Sequence, residues 1–571
     1  MNAKLAILAL SIFSLGAHAQ PPAEPAQPSA TPPAAAAPDK AVPESGLTGQ
    51  VLYQFLLGEI ASQRGDLKLA TEAYTDLAYK TRDVRVVRRA AEMAIYARDM
   101  AKASDMARLW TELEPQSAQA RQLLITGLIS LDRLDEAKPQ IEAWLHLEGR
   151  PVGETFLQLH GLLARSKNKQ AALDLIKGLA AGYPSVPEAH LAVAQSAAGA
   201  GQNDLALAEL DEAMHLEPGS EVAALLKGQL LSVQGDAPAL AFWKSFLAGH
   251  PDAARVRLAY ARGLTKDGQF VEARNEFETL LKNVPESPEL HLAVGLLAMQ
   301  TNDLDAAEKH FSQALSLGYP DESLIQMYLG QVNELRQNDD KAIEWYRKVT
   351  TGDHMLQARL KVALILARQH KVDEAVASLK VGKADEPDKV RLVQTEAQIL
   401  REAGRTQEAC AVLDQALKLS PDAGDLLYDR AMIEEKLDRL PAMETDLRRL
   451  IKLQPDSAHA YNALGYTLID RTSRVDEGIV LLEQALKLSP DDPFILDSMG
   501  WGQYKAGHLA EAVDYLRRAY SGRADPEIAA HLGEALWKKG DQDEAKRIWQ
   551  EAAKAYPDND PLRQTLSRFG Q

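Results

Sequence analysis

His531–Trp549 reads HLGEALWKKGDQDEAKRIW, with Gly533 twelve residues ahead of Ala545. Residues 499–516, MGWGQYKAGHLAEAVDYL, repeat the arrangement with Gly500 and Ala512. A small residue at position eight of a unit, another at position twenty and often a proline at thirty-two can be followed almost to the start of the chain. The series runs Gly58 and Ala70; Ala91, Ala103 and Pro115; Ala194, Ala206 and Pro218; Ala261, Ala273 and Pro285; Gly295 and Ala307. It continues through Gly330 and Ala342, Ala363, Ala375 and Pro387, Ala397, Ala409 and Pro421, and Gly465 ahead of Pro490.

A fixed period of this kind marks stacked supersecondary units, and dividing roughly 520 residues by about 34 gives about fifteen of them. The spacing has a physical reading as two antiparallel helices per unit. They approach closely only where a small side chain on the first meets a small one on the second, as Gly533 and Ala545 are expected to do. Proline at thirty-two ends the second helix, because it has no amide hydrogen and its ring clashes with the preceding turn. Turns such as KKGD, EAGR and KAGH place Gly540, Gly404 and Gly507 where a helix closes in the left-handed conformation. Three units are irregular. Pro139 falls early in a second helix, the unit of Gly228 is short with Pro238 near a helix start, and the turn DRTSRVDE (470–477) has one extra residue.

The pattern resembles the tetratricopeptide repeat family from about residue 50 to the end. The resemblance implies an all-α, right-handed superhelical solenoid whose inner face, built from first helices, binds peptides or protein segments. The resulting organisation is a signal peptide over 1–19, a flexible leader over 20–46, and a solenoid over 47–571 closed by a short C-terminal capping helix. Lys4 ahead of the apolar run Leu5–Leu15, then Ala17, His18 and Ala19, forms the signal, with cleavage before Gln20. The leader, QPPAEPAQPSATPPAAAAPDKAVPE (20–44), has almost nothing to bury. No segment is long and apolar enough to span a bilayer. The mature chain is therefore expected in the periplasm, with peripheral association with the outer membrane left open.

Composition narrows the function. A formal charge of −17 opposes binding to nucleic-acid phosphates. The lone cysteine, Cys410, cannot form an intramolecular disulfide and reads as a small buried hydrophobe. No HExxH, Walker loop, GxSxG or CxxC motif is present, and the histidines lack metal-ligand spacing. Ser166–Lys169 matches S-x-x-K formally but falls in an inter-helix turn, without the companion SDN and KTG elements. GAGQND (199–204) follows a helix rather than a strand. Asp541 with Asp543, and Asp339 with Asp340, read as helix caps. No catalytic, metal or cofactor residue is expected.

In the repeat geometry, positions two, five, nine and twelve of each first helix face inward. Position five is apolar in the central units, with Leu157, Leu191, Leu225, Leu258, Leu292, Met327 and Leu360, and becomes Tyr428, Asn462 and Asp497 later. The set Asn462, Tyr466, Asp497, Trp501, Tyr504 and Trp537 joins aromatic area to hydrogen-bonding ends, which suits capture of a peptide segment. The Lys and Asn pattern of a terminal-carboxylate clamp does not recur. Arg85, Arg88 and Arg89 form a local basic patch. Residues 460–520 with 526–549 resemble exported adaptor proteins of the bacterial envelope that hold a C-terminal processing protease and deliver its substrates. That resemblance implies a non-catalytic periplasmic scaffold for envelope proteins. The alternative is a component that assembles or exports an envelope polymer.

Overall fold

The computed structural model describes residues 48–570 apart from 148, 150 and 382–384. The signal peptide and leader expected from the sequence lie outside the described residues. Among those described are thirty-one helices and no strand. They fall into two compact units, one ending at Tyr319 and one beginning at Pro320. The first contains eight helical hairpins, from Gly49–Gln63 with Leu67–Thr81 to Pro288–Gln300 with Leu304–Ser316. The second contains seven, from Glu322–Leu335 with Asp339–Lys348 to Pro526–Lys539 with Gln542–Ala555, and ends in the single helix Asp560–Arg568. Within each unit consecutive hairpins stack on one another, so the all-α helical-repeat solenoid is the observed fold.

The repeated small residues lie at the heart of each hairpin. Ala70, Ala103, Ala206, Ala273, Ala307, Ala342, Ala375, Ala409, Ala512 and Ala545 at position twenty are all fully buried. The partner of position eight needs correction. A Cβ on Gly533 would overlap the indole of Trp549 rather than meet Ala545 first. The same relation joins Gly58 to Tyr74, Gly295 to Phe311, Gly330 to Tyr346 and Gly500 to Leu516, each sixteen residues apart. Glycine at eight is therefore chiefly a seat for a large side chain on the second helix. The small-on-small contact survives where Gly465 and Gly478 cross, each facing the other's carbonyl.

The irregular turns obey the same rule by changing the count. Gly228 receives Trp243 after fifteen residues, across a turn reduced to Gly235. Gly465 receives Leu482 after seventeen, across the turn with the extra residue. Both hairpins keep the seat by letting the turn absorb the difference.

Helix ends follow partly from the sequence. Gly404, Gly507 and Gly540 do adopt positive φ, but Arg98, Asp132, Asn302, Gln337, His370 and Asp438 do so at equivalent turns. Pro387 does not stop a second helix; that helix ends at Leu379, and Pro387 stands in the first turn of Glu386–Glu402, where a missing amide hydrogen costs nothing. The acidic pairs are also not side-chain caps. Asn338 caps its helix while Asp339 accepts from Arg368, and Asp541 accepts from Lys539. Carboxylates there still favour the positive end of the helix dipole.

Four hairpins of the first unit share a polar brace that sequence inspection missed. Arg121, His190, Arg257 and His291 stand at position four of their first helices, and each donates to the carbonyl of a proline six residues earlier, at 2.8, 3.2, 2.7 and 3.0 Å. Each also meets the residue nineteen positions later, on the second helix: Gln140, Glu209, Glu276 and His310. One side chain thus ties the inter-hairpin turn to both helices of its own hairpin.

Candidate functional site

The first helices Ala458–Arg471, Pro493–Ala506 and Pro526–Lys539 belong to consecutive hairpins of the second unit. They bring four of the six expected residues together. The Trp501 indole stacks with His531, at 4.2 Å between ring centroids, and with Tyr504, at 4.9 Å. Tyr466 approaches His531 from two hairpins earlier, at 6.4 Å. Trp501 Nε1 donates to Asp470 at 3.0 Å, and Tyr504 Oη donates to Glu534 at 3.0 Å. Asp497 grips His531 Nδ1 with both carboxylate oxygens at 3.0 Å. His531 is the member that sequence reading omitted, because it stands one residue past position five in its helix.

Burial and charge set the character of this column. Trp501 is 7% and Asp497 8% exposed, so both are structural at their ring and carboxylate. Burial opposes a charged His531, but Asp497, with Glu527 and Asp470 behind it, outweighs burial and raises its pKa above the usual imidazole range. Burial, reinforced by the Glu534 carboxylate, lifts the Tyr504 phenol to about 12. Tyr466 is raised further still, by burial and then by Asp470 and Asp497. These tyrosines therefore remain neutral hydrogen-bonding groups.

The other two expected residues take no part in these ring contacts, although Asn462 stands one turn before Tyr466 on the same helix. Trp537 packs on Trp549 and Phe569, at 5.8 and 5.6 Å between centroids, and so belongs to the contact with the last helix. Asn462 is half-buried, and its Oδ1 is buried without a hydrogen-bond partner among the described residues. An unsatisfied buried amide oxygen is costly, and the side chain would gain a hydrogen bond by turning toward an incoming N–H group.

A second site lies earlier in the same unit, and sequence reading passed over it. A cleft of about 390 Å³ spans the first helices Met355–Arg368, Glu386–Glu402 and Gly424–Lys436. Its floor is formed by Arg391, Gln394, Gln398 and Arg401, with Leu360 on one side and Asp429 and Ile433 on the other. With Ala397 at position eight, those four residues occupy positions two, five, nine and twelve of one first helix. The signal was therefore present: this hairpin replaces the leucine at position five with glutamine and frames it with two arginines. Gln394 Nε2 donates to Asp429 at 2.8 Å, while burial pushes the Asp429 carboxyl above its usual range. Neither Arg391 nor Arg401 has an ion-pair partner among the described residues, and both are exposed.

The remaining sequence features are structural. Leu191, Leu292 and Met327 are buried within their units, whereas Leu157 is 45% exposed. Leu225, Leu258 and Leu360 are half-buried, so the apolar stripe is packing at three of its seven positions and partly open at the others. Ser166 is buried in its turn and its hydroxyl reaches the Asn168 carbonyl, while Lys169 donates to the Ala164 carbonyl. Cys410 is buried, and burial raises its thiol pKa. In the basic patch, Arg89 pairs with Glu92 and Arg88 lies 5.1 Å over the Trp110 ring.

Comparison with known proteins agrees with the architecture. The family model described as Tetratricopeptide repeat matches residues 258–318, 292–354, 395–442, 444–493 and 498–560. A TPR repeat-containing protein of Pseudomonas aeruginosa is 34% identical over 541 residues, covering 94% of this chain and 90% of that protein. The putative cellulose synthase operon protein C of Escherichia coli O157:H7 is 24% identical over 340 residues, covering 53% of this chain and 27% of that one. A thermophilic TPR protein of Thermus thermophilus is a structural neighbour at 21% identity, with TM-score 0.29, covering 32% of this chain and 99% of that chain.

Proposed function

The chain belongs to the tetratricopeptide repeat family, and on that premise we propose that it is a non-catalytic, protein-binding scaffold of the bacterial periplasm. The observation that carries the reading is the run of first helices in the second unit. Their groove-facing positions offer the polar Arg391–Arg401 cleft and, further along, Asn462 with an unsatisfied amide oxygen one turn before Tyr466 in the Tyr466, Trp501 and Tyr504 wall. Such a surface presents many weak, repeated contacts to an extended chain. Asn462, Tyr466, Asp497, Trp501, Tyr504 and Trp537 form the partner-binding region, with Asn462 and the exposed edges of Tyr466 and Tyr504 in direct contact. Asp497 and Trp501 hold that wall in place, and Trp537 anchors the end of the stack.

Residues 1–19 direct export, with cleavage before Gln20. The partners are envelope proteins, with a C-terminal processing protease and its substrates as the specific class. A second reading, assembly or export of an envelope polymer, draws on the likeness to a protein named for a cellulose synthase operon. The two differ in what co-purifies. The mature chain, used as bait in a cross-linked envelope extract, is expected to retain a protease together with a substrate protein. Retention of polymer-synthesis components instead would favour the second reading, and retention of no protein at all would overturn the scaffold.

A further inference from the structure

We infer that the cleft of Arg391, Gln394, Gln398 and Arg401 is a binding site for an acidic, extended peptide segment of a partner protein. The inference rests on the scaffold reading and specifies the chemistry of what is bound. Three observations point to it. The cleft crosses three consecutive first helices, so a ligand lying across it touches three hairpins at once. Two exposed guanidinium groups frame it without a direct ion pair, although Arg401 lies near enough to Asp429 to pull that carboxyl's pKa down against burial, in a chain whose net charge is −17 and whose other arginines in this unit are largely tied to carboxylates, as Arg368, Arg405, Arg430 and Arg474 are. Between them Gln394 and Gln398 supply amide groups of the kind that pair with a peptide backbone, although each already donates one hydrogen, to Asp429 and to Glu402.

Geometry then sets the spacing of the ligand. Arg391 and Arg401 are ten residues apart on one helix, about 15 Å along its axis. An extended chain advances about 3.3 Å per residue, so two carboxylates four or five residues apart would reach both arginines. Each guanidinium can take a carboxylate through two parallel N–H donors, a geometry lysine cannot copy. Asp429 works against the ligand's charge on one side of the floor. It thereby disfavours a carboxylate midway between the arginines and leaves that stretch to uncharged residues. Leu360 and Ile433 flank the cleft and would cover an apolar side chain there.

The test uses the full mature chain and synthetic fluorescent peptides of ten residues, alanine-based, carrying two aspartates separated by one, four or five positions, or two asparagines. Binding is read by anisotropy at low and moderate salt. The four- and five-position peptides should bind most tightly and weaken as salt rises, and the Arg391→Gln/Arg401→Gln variant should lose about tenfold or more of that affinity. Arg391→Lys/Arg401→Lys, which keeps the charge, should recover only part of it. Equal binding of all spacings, absence of binding to any aspartate peptide, or unchanged affinity in the glutamine variant with intact helical signal would overturn the site. Dextran sulfate that binds through these arginines where the peptides do not would likewise overturn it, in favour of an anionic polymer. In the envelope extract, a partner retained equally by wild type and glutamine variant removes this cleft while leaving the scaffold standing; a partner retained by neither removes the scaffold itself.

Discussion

The indole of Trp549 occupies the space that a side chain on Gly533 would need, and its Nε1 donates to the Ala530 carbonyl one turn earlier on the glycine's own helix, at 3.3 Å. Gly533 is thus space reserved for a ring on the paired helix, not a flexible point in its own. Replacing a mid-helix glycine by alanine ordinarily gains about 0.5–1 kcal/mol. Here Gly533→Ala should instead cost about 1–3 kcal/mol by overpacking. Trp549→Ala should cost about 3–5 kcal/mol by opening a cavity. Gly533→Ala combined with Trp549→Leu should be milder than the sum, since the smaller residue vacates the overlap. Hydrogen exchange confined to the last two hairpins would register all three; a stabilised Gly533→Ala would refute the packing.

This relation also marks how far the sequence could be read. The period of small residues foretold helical hairpins and their number, because a small residue is needed wherever two helices cross. It did not reveal the large side chain seated over each of these glycines. Trp549, Phe311 and Tyr346 share no residue type, and only their common distance of sixteen from the glycine betrays the role. For the site, an aromatic-plus-polar composition singled out Tyr466, Asp497, Trp501 and Tyr504, which do converge. Composition could not tell that the Trp501 ring would be taken up by Tyr504, His531 and Lys505. The arginine-framed cleft was legible in principle from four inward positions of one helix, but a search along position five alone steps over it.

The brace at position four makes the first unit sensitive to acid at one hairpin. His291 gives its Nε2 hydrogen to Pro285, so its Nδ1 faces His310 Nδ1 at 2.9 Å across a single shared proton. Burial, then His291 and Lys309, lower the His310 pKa to about 4, with Glu278 opposing and Arg274 adding to the effect. An unfolded histidine titrates near 6.5, so between about pH 6.5 and 4 the unfolded state binds more protons and stability falls as pH falls. His310→Glu should rebuild the carboxylate partner found at Glu209 and Glu276, and raise the stability of this hairpin at pH 5 relative to pH 8. Exchange rates of Pro288–Ser316 amides at the two pH values check it; equal pH dependence in wild type and variant would count against the shared proton.

Glu434 carries the opposite sign. It is buried, its Oε2 has no hydrogen-bond partner among the described residues, and burial followed by Asp446 raises its pKa to about 7 against the pull of Arg430. A carboxyl raised in the folded state contributes full stability below the unfolded value near 4.3 and loses it as pH rises to about 7. Glu434→Gln removes the charge without changing shape. The variant should match wild type near pH 4.5 and exceed it at pH 8, by about 1 kcal/mol after allowance for screening. Urea unfolding followed at the two pH values measures the difference, and a variant less stable at pH 8 would show that the ionised carboxylate is held favourably.

Asn462 and Trp501 separate binding from folding in the aromatic wall. Trp501→Ala removes two stacking contacts and the hydrogen bond to Asp470, so about 3–5 kcal/mol of local stability should go with it. Any loss of partner binding in that variant reports the collapse of the wall. Asn462→Ala differs, because its Oδ1 makes no internal hydrogen bond and its removal relieves a buried unsatisfied acceptor. Its stability should stay within about 1 kcal/mol of wild type, or rise. If a partner backbone bonds that amide, affinity should nevertheless fall by about tenfold, the worth of one well-placed interfacial hydrogen bond. The decisive pairing is a partner captured from the envelope extract, its affinity measured against Asn462→Ala, and a melting curve for the same sample. Unchanged affinity with an unchanged melt would remove Asn462 from the binding surface and leave the arginine-framed cleft as the contact to pursue.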